Sequence, residues 1–393
     1  MIKQIEYGGS MKRITVMTSG RQDWGILRNP VRCLAADPEF DIDIIAGGMA
    51  CDERYGNIVE GIRRDEGFDV SAELKWDLDA DTAVQTAEAL KLADEVLKAD
   101  RPDAVMLLGD RFETLGFAQA AFFNRIPIIH LHGGEETEGA LDNQIRHAVT
   151  KLSSYHFVSC GLHAERVMRM GEDPERVFVV GAPGLDNLHR DDLPPIEEVL
   201  EGLNLRRDVE DYLFLITYHP PTVGGEGEVE FHFLLEALEE FAGIFIFTVP
   251  NNDEGGSEIY KMAEEFVNED SDKRVLVKAL GEKRYWSVLK AADAVIGNSS
   301  SGIIEAPAVP VSVVNIGTRQ KGRGFAKCII DVPKVTDDNI VKAVKKSQSR
   351  EFRAGLRRED SIFGDGHASE KIRDILKKVD LENKCNSFFF YEK

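Results

Sequence analysis

Residues 127–152 read PIIHLHGGEETEGALDNQIRHAVTKL, and the reading of this stretch decides the fold. Pro127 opens a short apolar run, Ile128 to Leu131 with His132 at its end. Its β-branching, brevity and closing Gly133-Gly134 pair fit a buried strand of a parallel sheet. The glycines permit a sharp turn and a close approach of backbone to a ligand, while Glu135, Glu136, Glu138 and Asp142 place carboxylates around that turn. From Asn143 onward, Ile145, Val149 and Leu152 recur at helical spacing, and Arg146, His147 and Lys151 add positive charge to the same segment. Carboxylates and glycines in a loop are ordinarily solvated turn chemistry, and a histidine inside an apolar strand is ordinarily a hydrogen-bonded core residue. Here acids, bases and histidines gather after a single strand. In sheets of this kind ligands bind beyond the carboxyl ends of the strands, so the density favours a functional site.

Outward from this unit, short β-branched runs alternate with longer helical patterns, the mark of a doubly wound α/β layer. Strands are expected at Arg13 to Met17, Asp41 to Ala46, Ala104 to Leu108, Ile128 to Leu131, His156 to Ser159 and Val177 to Val180. A second series is expected at Tyr212 to Thr217, Gly243 to Val249, Arg274 to Lys278, Ala294 to Ile296, Val311 to Asn315 and Cys328 to Val332. A length of 393 residues exceeds what one core usually supports. The expectation is therefore two Rossmann-like domains, 11–190 and 205–362, facing one another across a ligand cleft with hinge closure. Asp191 to Asp211, with Pro194-Pro195, reads as the connection between them, and a last helical pattern, Ala368 to Val379 within 365–380, as a return to the first domain.

Composition narrows the function classes. A formal charge of −21 argues against nucleic acid and acidic membranes as partners, although a local basic cluster can still hold a small anion. The longest apolar runs fall far short of a membrane span. The start of the chain lacks a secretory signal, residues 1–10 read as an upstream extension before Met11, and the protein is expected in the cytoplasm. The five cysteines form no CxxC pair and read as free thiols; the nine histidines give no HExxH pattern, so no metal is expected.

Further stretches carry possible chemistry. In GNSSSGIIEAP, Ser299, Ser300, Ser301 and Gly302 open a helix after a strand, where N–H groups and hydroxyls suit a diphosphate; simple helix capping by the serines is the equal alternative. In NIGTRQKGRG, Arg319, Lys321 and Arg323 stand on a glycine-rich loop that can grip phosphate oxygens, or can be a solvated turn. Arg21 in TSGRQDWG and Arg111 in GDRFE add two possible anion contacts, and Asp110 beside Arg111 either faces a ligand or caps a helix. His219 in YHPP follows a strand of the second series, where it can meet a leaving group. A Walker loop and a GxGxxG fingerprint are both missing from the sequence.

From about Met11 to about Ala368, the motifs GRQDWG, GDRFE, HLHGGEETEGALDNQIRHAVTKL, GAPGLDN, YHP, PNND, GNSSSGIIEA, NIGTRQKGR and FGDGHAS together resemble the hydrolysing UDP-N-acetylglucosamine 2-epimerases. The resemblance implies a glycosyltransferase-B-like fold, with the sugar and catalytic acids in the first domain and the nucleotide and diphosphate in the second. It also implies no required metal or redox cofactor. By matched position, Asp110, His130 and Asp142 fall on catalytic positions, and Arg21, Arg111, His219, Asn251, Ser299, Ser300, Glu305 and Arg319 on nucleotide or phosphate contacts. His219 counts among the catalytic candidates as well, and Arg146, His147, Ser301, Gly302 and Arg323 complete the binding set. This chain departs from many members at one position: they carry a glutamate where it has His132, which leaves Glu135 or His132 itself to fill that role.

The reaction implied is anti elimination of UDP followed by addition of water with inversion at C2, giving UDP and N-acetylmannosamine. The alternatives are the same reaction on a UDP- or GDP-linked 2,4-diacetamido-trideoxyhexose or on GDP-N-acetylglucosamine, a glycosyltransferase of the same fold, and a non-catalytic sugar-nucleotide sensor. The expected partner is the nucleotide sugar, and a homodimer or homotetramer is expected.

Overall fold

The computed structural model describes residues 11–136, 141–219, 227–248, 256–277, 280–358 and 361–381. Asn251 and Glu138 lie outside these residues. The described chain divides into two compact units: residues 11–135, 141–186 and 367–381 form the first, and Glu136 with 187–366 the second.

The first unit runs β1 (Lys12–Thr18), α1 (Arg21–Ala35), β2 (Phe40–Gly47), α2 (Ile58–Glu66), β3 (Ala72–Leu74), α3 (Thr82–Ala99), β4 (Ala104–Leu108), α4 (Phe112–Phe123), β5 (Ile128–Leu131), α5 (Asp142–Leu152), β6 (Tyr155–Val158), α6 (Gly161–Arg169) and β7 (Val177–Val179). Its seven strands pair in the order β3-β2-β1-β4-β5-β6-β7, and the pairings are parallel, with Leu107 opposite His130 and His130 opposite His156. Parallel strands covered on both faces read as nearly continuous apolar runs, and β4 and β5 are buried throughout, with His130 the polar exception. Helix α1 shows why its segment folds as it does. Trp24, Leu27, Val31 and Leu34 recur every three or four residues and sink into the core, each contributing about 1.5–3 kcal/mol of transfer free energy.

The second unit runs α7 (Ile196–Gly202), β8 (Tyr212–Thr217), α8 (Gly227–Leu238), β9 (Gly243–Thr248), α9 (Gly256–Asn268), β10 (Arg274–Val277), α10 (Glu282–Ala291), β11 (Ala294–Gly297), α11 (Ser300–Ile304), β12 (Ser312–Ile316), β13 (Ile329–Val332), α12 (Asp337–Gln348) and α13 (Arg350–Ala354). Its sheet, order β10-β9-β8-β11-β12-β13, is again parallel. Residues 191–211, expected as the connection between the two domains, fall within this unit. Helix α7 buries Val199 and Leu200, and Leu205 follows them inward.

The chain then reaches α14 (Ala368–Leu376), whose Ile372 and Leu376 join the core beside α1. Both of its ends are tied. Asp186 accepts from the Ala368 and Ser369 amides at 2.8 Å each, and Lys12 Nζ donates to the carbonyls of Leu376, Lys377 and Val379 at 2.6, 3.0 and 2.9 Å. Among the described residues, no helix is long and apolar enough to cross a membrane.

Candidate active site

Each sheet reverses its strand order once, between β1 and β4 in the first unit and between β8 and β11 in the second. At such a point the loops that follow diverge to opposite faces and leave a crevice at the carboxyl ends of the strands. The motif residues after β1 and β4 and after β8 and β11 stand at these two places, and those after β5 and β12 follow the adjoining strands.

In the first unit, the loop after β1 is closed by Asp23, which accepts from the Ser19 amide at 3.0 Å and the Ser19 hydroxyl at 2.7 Å. Burial pushes the Asp23 carboxyl above its ordinary value, against the opposing charge of Arg111. Arg111 grips Glu113 with two bonds, Nε to Oε2 at 3.1 Å and Nη2 to Oε1 at 2.8 Å. Asp110 forms an ion pair with the buried Arg146 of α5, and the N-cap of α4 is Arg111 with no side-chain cap, so capping is not the role of Asp110. Arg21 and Asp142 are exposed at the first positions of α1 and α5; the N-cap of α5 is Leu141. His147 is half-buried one residue after Arg146.

His130 is fully enclosed. Its Nε2 lies 2.9 Å from the Gly109 carbonyl and its Nδ1 3.2 Å from the Thr150 hydroxyl. A carbonyl can only accept, so Nε2 carries the proton and Nδ1 receives the hydroxyl. Burial drives its pKa down to about 3. The ring is thus a neutral tie joining the β4 loop, β5 and α5.

His132 sits one step beyond β5 in the left-handed region, φ +62°, a rare conformation for a side-chain-bearing residue. Its Nδ1 is 2.6 Å from Glu135 Oε1, and Glu135 is 5% exposed. The turn between them needs glycine at 134: φ is +76°, and a Cβ there would stand 2.4 Å from the His163 carbonyl oxygen. Ser159, at the end of β6, donates to Glu135 Oε1 at 3.2 Å and lies 2.8 Å from His163 Nδ1. Behind them His156 and Lys151 share the buried Glu172. Burial alone would raise that carboxyl, but the two partners' hydrogen bonds outweigh it and hold it below its ordinary value.

In the second unit the centre is Asn298, 1% exposed. Its Oδ1 accepts the His219 amide at 2.7 Å and its Nδ2 donates to the His219 carbonyl at 2.8 Å, as a strand neighbour would. Its own carbonyl receives Arg319 Nη1 at 3.2 Å and Gln320 Nε2 at 2.7 Å. One asparagine therefore fixes both His219 and the basic loop. Burial, followed by the charge of Arg319, lowers the His219 pKa to about 4.

Ser299 caps α11 through the Ser301 amide at 3.4 Å, which is the capping role weighed for it; Ser300 is half-buried, and Gly302 is packed against Val313. Tyr285 donates to Ser301 Oγ at 2.6 Å and neighbours Glu305, whose carboxyl is pushed up to about 7 by burial, with the Tyr285 hydrogen bond opposing. Arg323 donates to the Glu136 carbonyl at 3.3 Å. Sequence reasoning missed Asp23, Glu113, Ser159, His163, Tyr285 and Asn298. Asn298 was the most visible of these, a polar residue standing directly after an apolar strand.

Comparison with known proteins agrees with this layout. The family model described as UDP-N-acetylglucosamine 2-epimerase matches residues 32–377. The chain is 33% identical over 396 residues to the UDP-N,N'-diacetylbacillosamine 2-epimerase (hydrolyzing) of Legionella pneumophila, covering 96% of this chain and 100% of that one. It is also 33% identical over 387 residues to the GDP/UDP-N,N'-diacetylbacillosamine 2-epimerase (hydrolyzing) of Campylobacter jejuni, covering 97% and 99%. The crystal structure of UDP-GlcNAc 2-epimerase from Neisseria meningitidis bound to UDP-GlcNAc superposes with a TM-score of 0.77 at 16% identity, over 94% of this chain and 100% of that one, which establishes the glycosyltransferase-B-like fold. Two parallel-sheet units, the residues at their switch points and a match over most of the length lead to one conclusion: the chain belongs to the UDP-N-acetylglucosamine 2-epimerase family.

Proposed function

We propose that the protein is a hydrolysing nucleotide-sugar 2-epimerase acting on a UDP-linked 2-acetamido sugar, with UDP-N,N'-diacetylbacillosamine preferred over UDP-N-acetylglucosamine. The observation that carries this reading is the near full-length likeness to two hydrolysing relatives whose names specify the diacetamido sugar. It moves the sugar preference from the first sequence expectation to its alternative.

In the reaction, a base takes the proton from C2, the C2–H electron pair becomes the C1–C2 double bond, and the C1–O bond breaks with its electrons leaving on UDP. Water then adds oxygen at C1, and a proton reaches C2 from the opposite face. Arg319 and Ser300 hold the diphosphate, and Glu305 the nucleoside. Asp110, Asp142 and His132 serve proton transfer, with Glu135 paired to His132 and Arg146 paired to Asp110. His130 positions and does not transfer protons, because both of its ring nitrogens are engaged. His219, neutral above about pH 4, offers a hydrogen bond without adding charge.

The test is UDP release with product NMR across UDP-N,N'-diacetylbacillosamine, UDP-N-acetylglucosamine and their GDP counterparts. The expected result is fastest release from the UDP-linked diacetamido sugar, with a 2-epimerised free sugar as product. Release from none of them would remove the enzymatic reading. Replacing Arg319 by Ala is expected to weaken UDP binding by about 1.5–3 kcal/mol in calorimetry, the range of a charge-assisted bond.

A further inference from the structure

His163, Ser159, Glu135 and His132 form a single file of side chains, and its hydrogen bonds have a fixed polarity. Ser159 has one hydroxyl proton and gives it to Glu135 Oε1 at 3.2 Å. Its oxygen, 2.8 Å from His163 Nδ1, must therefore accept, so His163 carries its proton on Nδ1. Glu135 Oε1 is then the acceptor at the end of the file, and it also lies 2.6 Å from His132 Nδ1. A carboxylate that accepts from both sides requires His132 to carry its proton on Nδ1 as well. The consequence falls on the other ring nitrogen. His132 Nε2 is buried and has no hydrogen-bond partner among the described residues, and in this tautomer it presents a lone pair.

The backbone supports the same conclusion. His132 is a side-chain-bearing residue held at φ +62°, and the neighbouring Gly134 backbone lies so close to the His163 carbonyl that no Cβ fits. Strain of this kind persists only where the surroundings over-determine it, and it concentrates at functional positions. Ser159 and His163 are each 1% exposed, so the file is a packed element and not a surface arrangement.

We propose that His132 Nε2 is the atom that takes the C2 proton, and that Ser159 and His163 are positioning residues which, through Glu135, lock His132 in the Nδ1–H tautomer. This rests on the epimerase reading above. The step balances: the Nε2 lone pair forms the new N–H bond, the C2–H pair becomes the C1–C2 double bond, and the C1–O pair departs with UDP. Glu135 accepts a hydrogen bond throughout and stabilises the imidazolium that forms, as the acid of a nucleophilic triad does for its histidine.

The test uses the full chain, labelled with ¹⁵N-histidine and free of ligand. Long-range ¹H–¹⁵N spectra are expected to show His132 protonated on Nδ1 and bare on Nε2, and Ser159→Ala is expected to shift it toward a mixture of tautomers. In turnover, His132→Gln is expected to lose about 10²–10⁴-fold in kcat together with C2 exchange. Ser159→Ala is expected to lose roughly 10–100-fold in kcat with KM within about two-fold, by analogy with the loss on removing an outer partner of a metal-bound histidine. An Nε2–H tautomer in the wild type, or C2 exchange retained in His132→Gln, overturns the proposal while wild-type UDP release still upholds the parent reading. The tautomer is read without substrate, so failure of the parent reading shows separately, as no UDP released from any sugar nucleotide.

Discussion

Asn298 illustrates how one buried amide sets a site. It holds the His219 backbone at both polar atoms and receives Arg319 and Gln320 on its carbonyl, so its side chain and backbone together join three loops of the second unit. Asn298→Ala removes both hydrogen bonds to the His219 backbone and is expected to cost about 1–3 kcal/mol for each bond lost in this buried place, read by denaturant unfolding. Asn298→Asp keeps the acceptor but sets a carboxylate oxygen against the His219 carbonyl, and is expected to cost at least as much as Ala. Glu305 gives a second expectation at this scale. Its carboxyl is raised to about 7, so the folded state holds a proton that the unfolded chain gives up near the ordinary glutamate value. The folded protein therefore loses stability as pH rises from that value through about 7, and above it the loss is constant. Glu305→Gln does not titrate, so its Tm relative to wild type is expected to climb between about pH 5 and pH 7.5. A difference independent of pH would contradict the raised carboxyl.

Among the elements, α14 has the plainest energetic role. It brings Ile372 and Leu376 into the core beside α1, and Asp186 and Lys12 satisfy the polar groups at its two ends. Leu376→Ala, at a side chain with no exposed area, is expected to destabilise the protein by about 2–5 kcal/mol in denaturant unfolding without changing the m-value. A loss under about 1 kcal/mol would mean that α14 contributes little to the first unit's core. The elements also show what the sequence made legible. Strands such as β4 and β5 were visible because burial on both faces leaves a short, largely apolar run, interrupted in β5 by His130. Strand β3 was not, because its three residues, Ala72, Glu73 and Leu74, form an edge on which Leu74 alone is buried. Helix α7 was hidden for a related reason: acidic residues surround Val199 and Leu200 and mask a narrow apolar face.

On the scale of the whole molecule, the sequence pointed to the loops where chemistry gathers because those loops follow strands that are easy to recognise. It did not reveal which residues pair, since that depends on strand order. Asp110 meets Arg146 because β4 and β5 are neighbours, and His219 meets Asn298, 79 residues on in the chain, because β8 lies beside β11. Buried partners such as Ser159 and His163 give no pattern of their own; they become visible once β6 and α6 are placed against the β5 turn. The central claim concerns the C2–H bond. Hydrolysis of the glycosidic bond also releases UDP but leaves that bond untouched, whereas elimination must break it and return a proton from exchangeable groups. The most direct measurement is turnover of the UDP-linked 2-acetamido sugar in D₂O followed by NMR of the released sugar. The account requires inverted configuration at C2 with deuterium incorporated there; a product that keeps its original C2 proton and configuration would contradict it.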